Sequence, residues 1–269
     1  MYILIMLLFE INDEKKCDIF NVCFKNLKVF TETINVNVTI DEFHLQGMDS
    51  SHICLYEFIF KKEWFDVWSV EKNIQFGLNT ESIEKILKTH SSGQSIRLLV
   101  EDEECIDKLF FELLKTENNK KSPEKYFQTF TINSNEDLME IPQSDYGFEL
   151  TYKSKEFKSF IDQLASFGEV LNFVCMDKKY SMIANSIQDS CKFELCDEDI
   201  EEVKQNTEEM NISYSIKYIT DICKFCQLSN TITLKFSDEI PLLLRYNIDE
   251  NIIADFHLAP YMDEDEENE

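Results

Sequence analysis

Residues 45–56 read LQGMDSSHICLY, which is the end of one strand, a polar elbow and the start of another. Leu45, Ile53 and Leu55 alternate with polar or small residues, as in a strand with one buried face. The Gly at 47, the Asp at 49 and the two Ser residues after it supply turn chemistry. A Met at 48 and a His at 52 stand at the rim. By itself the stretch is compatible with a surface hairpin and equally with a recognition loop.

Composition sets the size of the core that such strands can join. The chain has 269 residues, of which 43% are hydrophobic and 22 are Phe, so it can bury one large core or two ordinary ones. Only 5 Gly and 4 Pro are present, which argues against low-complexity disorder over most of the chain.

Charge restricts how the chain can meet nucleic acid. The formal net charge is −26, from 52 acidic and 26 basic residues. A surface with this balance repels nucleic acid on average. Contact with DNA would therefore depend on a local concentration of lysines.

The apolar segment at residues 1–9 is expected to be a buried first strand. It lacks a basic leader and a small-residue cleavage site, and its 9 residues fall short of the roughly 20 that span a bilayer. The 9 cysteines, without secretory context, indicate a reducing compartment. Cys223 and Cys226 form a single CxxC on the apolar side of a predicted helix, which favours small core residues over a zinc or redox site.

The apolar pattern of the first half recurs in the second half. At an offset of 137, the residues Phe20, Phe24, Leu27, Phe30 and Ile34 map onto Phe157, Ile161, Leu164, Phe167 and Leu171. At an offset of 136, the residues Ile83, Ile86, Leu87, Ile96, Leu98 and Val100 map onto Ile219, Ile222, Cys223, Ile232, Leu234 and Phe236. Order and offset agree, which indicates an internal duplication in which each half is a helix–strands–helix–strands unit.

A connector separates the two halves. The stretch TINSNEDLMEIPQSD at 131–145 is acidic and has neither helical nor strand periodicity. Leu138, Met139 and Ile141 have no obvious core of their own, so we expect the connector to be functional as well as a linker. The expected domains are an amino-terminal domain at 1–130, the connector at 131–146 and a carboxy-terminal domain with an acidic tail at 147–269.

Four amphipathic segments carry lysine away from their apolar stripes, around 18–31, 80–89, 155–167 and 217–227. On one helix this would be an ordinary solvated face, but all four share it. Side by side on a sheet, the helices would form a basic strip that contacts duplex phosphates without reading sequence. The acids Glu84, Asp162 and Asp221 on the same segments reduce the net positive charge of the strip. The lysines expected to face DNA are Lys25, Lys28, Lys85, Lys88, Lys158, Lys217 and Lys224.

Several motifs together resemble the proliferating cell nuclear antigen (PCNA) family of DNA sliding clamps. They are LQGMDSSH at 45–52, KILK at 85–88, Ile141-Pro142 followed by Tyr146, EIPL at 239–242 and LAP at 258–260. The resemblance covers most of the chain and implies an α+β fold of two similar helix-and-sheet domains. The helices would line one face and the strands would form the outer sheets. It also implies that three subunits close head to tail into a ring around duplex DNA.

The resemblance further implies a pocket for partner peptides, combining groove binding with strand addition. Its residues would be Met48, His52, Ile53 and Leu55 of the loop, Met139, Ile141, Pro142 and Tyr146 of the connector, and Pro241, His257, Ala259 and Pro260 near the carboxy terminus. The strand near Tyr126 and the one at 191–195 resemble the edges that pair between subunits.

Three departures from the family pattern affect these sites. His257 stands where the family usually places a tyrosine near the pocket floor. Ser159 and Asp162 occupy helix positions where related clamps carry arginine, so the DNA-facing charge is thinner. Asp177, followed by Lys178 and Lys179, occupies the position of the family's regulatory ubiquitin-acceptor lysine.

Enzymatic motifs are absent from the sequence, which has no P-loop, nucleophile elbow, HExxH or paired metal-carboxylate spacing. We therefore expect no catalysis, no cofactor and no metal, and we interpret the acidic run at 263–267 as a solvated tail.

Together these observations predict a processivity clamp for DNA polymerase and a docking platform for replication and repair proteins. It would be a homotrimer in the nucleus. Its expected partners are duplex DNA without sequence preference, clamp-binding peptides, a clamp loader and further copies of itself; no membrane is expected. Two alternatives stay open: a subunit of a heterotrimeric checkpoint-type clamp, and an acidic protein-binding scaffold that does not encircle DNA.

Overall fold

The computed structural model describes residues 6–100, 106–117, 120–133, 138–141, 145–176, 179–195, 200–205, 209–237 and 240–262. They divide into two compact units. The first is Met1–Ser50, Tyr56–Glu140 and Asp249–Ile253, and the second is Ser51–Leu55, Ile141–Ile248 and Ala254–Glu269.

The first half of the chain supplies nine strands and two α-helices in the described residues. In order they are β1 Met6–Ile11, α1 Glu14–Leu27, β2 Thr33–Val38, β3 Glu42–Met48, β4 Cys54–Lys61, β5 Val67–Trp68, β6 Ile74–Asn79, α2 Thr80–Leu87, β7 Gln94–Val100, β8 Lys108–Glu117 and β9 Lys120–Phe130. A 3-10 turn at Lys62–Trp64 precedes β5. The antiparallel strand orders are β5-β1-β7-β8-β9 and β6-β2-β3-β4.

The second half repeats this list. Its elements are β10 Phe148–Lys153, α3 Ser154–Leu164, β11 Val170–Met176, β12 Lys179–Asn185, β13 Ser190–Glu194, β14 Ile200–Gln205, β15 Met210–Ser215, α4 Ile216–Ile222, β16 Thr231–Phe236, β17 Leu242–Tyr246 and β18 Ile252–Leu258. A 3-10 turn at Cys223–Phe225 extends α4. The strand orders are β14-β10-β16-β17-β18 and β15-β11-β12-β13.

When the strands of the two halves are matched in chain order, each sheet of the first half has the same strand order as a sheet of the second half. For example, β1 pairs with β5 and β7, and β10 pairs with β14 and β16. The duplicated apolar residues occupy the same places, since Phe20 and Phe157 are buried on α1 and α3. The predicted duplication and the α+β fold class are confirmed.

Helix boundaries follow capping chemistry that the apolar pattern alone did not reveal. α1 begins at Glu14, earlier than the expected segment, because the Asp13 side chain accepts a hydrogen bond from the Lys16 amide at 3.0 Å. Asn79 caps α2 in the same way, accepting from the Ser82 amide at 3.0 Å.

Each unit has its own aromatic core. In the first, Phe9 of β1 contacts the rings of Phe20 and Phe43 with centroids 5.7 and 5.3 Å apart. In the second, Phe173 of β11 stacks on Phe236 of β16 with centroids 4.1 Å apart. Aromatic pairs of this kind add to the stability gained from burial. Of the first strand expected at residues 1–9, residues 1–5 lie outside the described residues, and the rest belongs to β1, in which Phe9 and Ile11 are fully buried.

Candidate partner-binding and DNA-contact surfaces

The loop motif begins inside β3 rather than in the turn. Gly47 was expected to supply turn chemistry, but it is a strand residue, and the turn starts after Met48. A Cβ at Gly47 would stand 2.5 Å from Tyr56 Oη and 2.8 Å from Tyr56 Cζ. Only glycine therefore allows β3 to approach this buried ring. Met48, the next residue, is half-buried at the strand end.

The connector is attached to the first unit at two points. Ile132 exchanges both main-chain hydrogen bonds with Gly77 of β6, at 2.7 and 2.8 Å. Met139 makes two hydrogen bonds to the side chain of Gln46: its amide donates to Oε1 at 2.7 Å, and its carbonyl accepts from Nε2 at 3.0 Å. Gly77 and Gln46 lie in one row of the sheet, because both pair with Asn35 of β2.

A buried polar network surrounds this second attachment. Glu57 Oε1 accepts from Gln46 Nε2 at 3.0 Å and from His44 Nε2 at 2.9 Å. His44 and Gln46 are only 6% and 4% exposed. Gln46 and Met48 project from the same face of β3, since alternate strand residues share a face. The network therefore holds the main chain of Met139 at Gln46, two residues before Met48 on β3.

In the second unit, the loop meets the carboxy-terminal segment. The Ala259 amide donates to the Ile53 carbonyl at 3.0 Å, which brings these two predicted pocket residues together. His52 is exposed and has φ +58°, a left-handed backbone conformation. Leu55 is buried, whereas Pro241 and Pro260 are exposed. Pro142 lies outside the described residues.

Tyr146 lies over a charged face of the β10–β16–β17–β18 sheet. Lys235 Nζ is 5.8 Å from its ring centroid, within cation–π range. Lys235 also pairs with Glu149 at 3.0 Å, and Arg245 pairs with Asp255 at 2.5 Å. Burial raises the pKa of Tyr146, with Asp255 adding to the effect. The phenol is therefore neutral and can act as a hydrogen-bond donor.

His257 is buried on this same sheet. It pairs with Leu243 of β17 in register and stands two residues from Asp255, so it shares a face with that carboxylate. The second unit thus groups Tyr146, Arg245 and His257 on one sheet face.

Most of the predicted DNA-facing lysines already have acidic partners. In the first unit, Lys28 and Lys88 both pair with Glu84, at 2.7 and 3.0 Å, and Lys85 pairs with Glu81 at 2.7 Å. The Lys28 and Lys88 ammonium groups hold the pKa of Glu84 below its ordinary value, although its burial opposes them. Two lysines and one carboxylate leave a net positive cluster.

The second unit shows the same pairing. Lys158 pairs with Asp162 at 2.5 Å and Lys224 with Asp221 at 2.6 Å, while Lys217 stands 5.5 Å from the ring of Tyr218. Lys25 is exposed. The acids that diluted the predicted strip are therefore ion-pair partners of its lysines. The i,i+4 spacing of 81–85, 84–88 and 158–162 contained this signal.

The two strands expected to pair between subunits are sheet edges. β9 is the last strand after β8, and β13 is the last strand after β12. On β9 the side chains of Tyr126 and Phe130 are 52% and 66% exposed.

Comparison with known proteins identifies the family. The model of the PCNA amino-terminal domain matches residues 8–138, and that of the PCNA carboxy-terminal domain matches residues 140–261. The chain belongs to the PCNA family. It is similar to proliferating cell nuclear antigen of Chaetomium thermophilum, with 27% identity over 89% of this chain and 93% of that one.

Two further relatives extend the likeness within the PCNA family. DNA polymerase sliding clamp 3 of Sulfurisphaera tokodaii is 26% identical over 90% of this chain and 96% of its own length. Proliferating cell nuclear antigen 2 of Drosophila melanogaster is 26% identical over 80% and 83%. The chain is thus a member of the sliding-clamp family, as its motifs predicted.

Other features of this PCNA-family chain concern metals, membranes and cysteine. Within the described ranges, no three His, Cys, Asp or Glu side chains are grouped to hold a metal ion. None of the helices described is both long and apolar enough to cross a membrane. Cys223 is buried and Cys226 is half-buried, and burial raises the pKa of both thiols. Asp177 and Lys178 lie outside the described residues, and Lys179 is exposed.

Sequence reasoning missed the residues that hold the connector. Gln46 belongs to the loop motif without a predicted role, and none of the motifs includes His44 or Glu57. The signal that could have revealed them is a polar side chain at a position expected to be buried. His44 and Gln46 both lie on a strand whose middle residues are all buried. A polar side chain in such a place needs a hydrogen-bond partner.

Proposed function

We propose that this protein is a homotrimeric DNA sliding clamp that encircles duplex DNA and tethers DNA polymerase and repair proteins to it in the nucleus. The observation that carries the proposal is the exact repetition of one two-sheet, two-helix unit in a chain of the PCNA family. Each repeat also has an exposed edge strand, which is the kind of surface that closes a head-to-tail ring.

Encirclement explains how an acidic protein can stay on DNA. A closed ring is retained by topology, so its contacts with phosphate need not be strong. The lysines proposed to face DNA are weak ligands here because acids of the four helices compete with phosphate for them. Such contacts are independent of sequence and compatible with sliding.

Partner proteins are proposed to dock on the loop, the connector and the carboxy-terminal segment. Two observations support this. Met139 is hydrogen-bonded to Gln46, two residues before Met48, in the first unit, and Ile53 is hydrogen-bonded to Ala259 in the second. Leu138 and Met139 are 41% and 38% exposed, and Gln46 holds the main chain of Met139 in place.

The proposal is tested by molar mass and polymerase stimulation together. Light scattering should give three times the 31.8 kDa chain mass at micromolar concentration, and the protein should increase polymerase processivity on primed circular DNA once loaded. A stable monomer that trimerises only with other subunits would favour the heterotrimeric alternative. A trimer that never loads would favour the scaffold.

Docking has its own test. The double variant Met139→Ala, Ile141→Ala should abolish binding of clamp-type partner peptides while the trimer mass is kept. The control Met176→Ala, Ile187→Ala truncates the same residue types at exposed positions, 52% and fully exposed, and should bind normally. Equal peptide affinity in both variants would refute the pocket.

A further inference from the structure

The side chain of Gln46 holds the main chain of Met139 with the same pair of hydrogen bonds that a residue of a neighbouring strand would make. The Gln46 amide offers an oxygen and an N–H on one planar group, and both are used on the same residue, at 2.7 and 3.0 Å. This reciprocal pair is the pattern that two opposed residues make in an antiparallel ladder. It attaches the connector at a place where the described residues show no strand pairing by Met139.

Glu57 and His44 fix the orientation of the Gln46 amide. A carboxylate oxygen can only accept, so Glu57 Oε1 requires an N–H from Gln46 and another from His44. If the amide were flipped, Gln46 Oε1 would face the carboxylate of Glu57, and Nε2 would face the Met139 amide, which is also a donor. Both contacts would be repulsive. Glu57 and His44 therefore select the one amide orientation that Met139 can use.

The attachment at Ile132 restricts the connector from its other end. Ile132 is bonded to Gly77, in the same sheet row as Gln46. With both points fixed, Met139 cannot slide along the sheet, and Leu138 is its neighbour in the chain. Their exposed side chains are thus presented by hydrogen bonds rather than by a core of their own.

We propose that Gln46, oriented by Glu57 and His44, is a positioning residue that holds the connector's main chain at Met139 and so presents its apolar side chains to partner peptides. The second half of this statement rests on the proposed docking function. Because Gln46 accepts a hydrogen bond from the main-chain N–H of Met139, a partner that adds a strand to the connector must take its hydrogen-bond donors from residues on either side of Met139.

The first experiment uses Gln46→Leu, which keeps the approximate size and removes both hydrogen bonds. Amide hydrogen exchange at Met139 should become roughly tenfold faster at an unchanged trimer mass. A fluorescent peptide with one aliphatic and two aromatic anchors on a helical turn should bind roughly tenfold more weakly, mainly through faster dissociation. Gln188→Leu, at an exposed turn, is the matched control and should change neither value.

Variants of Glu57 test the orientation and guard against a folding defect at residue 46. Glu57→Gln puts an NH2 group in place of one oxygen, which weakens the choice of amide orientation, and it should raise Met139 exchange only slightly because it keeps an acceptor oxygen. Glu57→Leu removes it and should raise Met139 exchange, to a smaller extent than Gln46→Leu. A purely structural role would lower thermal stability equally in both Leu variants without a selective change at Met139.

The outcomes separate the two proposals. Unchanged Met139 exchange in Gln46→Leu and Glu57→Leu would overturn the positioning role. Faster exchange with unchanged peptide affinity would overturn the presentation of the connector to partners. If the wild type binds no such peptide while Met139 exchange still depends on Gln46, the docking function fails and the attachment by Gln46 stands.

Discussion

Gly47 determines how closely β3 can approach the ring of Tyr56. The position where a Cβ would stand is only 2.5 Å from Tyr56 Oη, well inside contact distance. We predict that Gly47→Ala lowers the free energy of unfolding by about 1–3 kcal/mol, since the ring must move within a packed core. Urea denaturation of the purified protein measures this directly.

A double-mutant cycle identifies the cause of that loss. Tyr56→Phe removes the nearest atom, so Gly47→Ala should cost less in the Tyr56→Phe background than in the wild type. Equal costs in the two backgrounds would mean that the hydroxyl is not the obstacle.

Glu84 links the stability of the first unit to pH. Lys28 and Lys88 hold its pKa below 4.5, so its charged form stabilises the folded state. This contribution is complete above pH 4.5 and is lost as the pH falls through the lower, folded value. Glu84→Gln should therefore destabilise the protein by about 1 kcal/mol at pH 7 and by less as the pH approaches 3.

Denaturation midpoints at several pH values test the Glu84 prediction. Glu81→Gln is the control, because Glu81 also pairs with a lysine but is exposed. A loss from Glu84→Gln that stays constant between pH 3 and pH 7 would contradict the assignment.

Single residues also show where prediction from sequence stops. Leu45 could be placed on a buried strand face because alternation reports burial, but Ile53, expected on the next strand, lies in the bend before β4 and is half-buried. Gly47 was assigned to the turn, since sequence does not reveal which ring lies opposite a glycine. The same limit hid the partners of Gln46, which is separated from Met139 by 93 positions in the chain.

At the scale of elements, the four helices carry matched charges of both signs. Acids at 81, 162 and 221 each hold a lysine within 2.7 Å. The triple variant Glu81→Gln, Asp162→Asn, Asp221→Asn should bind DNA more tightly than the wild type, with a steeper loss of affinity as salt increases. Retention on nicked circular DNA over a salt series measures both effects.

The control for the helix prediction makes the same change in net charge at positions outside the four helices. Glu63→Gln, Glu117→Gln, Glu250→Gln neutralises three acids outside the four helices and should leave the salt dependence unaltered. In the opposite direction, Lys85→Gln, Lys88→Gln, Lys224→Gln should reduce retention. If both acid triples raised retention equally, total charge rather than the helix face would be responsible.

Elements were the scale best predicted from sequence. All four helical segments exist, because their apolar residues recur at helical spacing. The helix starts were displaced where capping side chains, such as Asp13, set them. The duplication was visible because both halves bury the same positions, although only the strand pairing shows that each repeat contains two sheets.

At the scale of the whole molecule, the edge strand β9 is the surface on which ring closure is proposed to depend. Phe130→Asp places a charge at its most exposed aromatic side chain, 66% accessible. We predict that this variant dissociates to a 31.8 kDa monomer with an unchanged circular dichroism spectrum and fails to load onto circular DNA.

The matched control for the edge is Ile40→Asp, which introduces the same charge at an exposed apolar residue outside β9. It should remain trimeric and load normally. A trimeric Phe130→Asp variant would exclude β9 from the subunit contact.

The lysine–acid pairs also affect how easily the proposed ring would move along DNA. A phosphate that approaches Lys28 meets an ammonium group already neutralised in part by Glu84, so contact exchanges one anion for another. Gains and losses nearly cancel at each step, and the energy profile along the helical axis of the duplex stays shallow. In the proposed ring, the acids would weaken each contact between lysine and phosphate. Diffusion along DNA would therefore be faster than for a ring lined by unpaired cations.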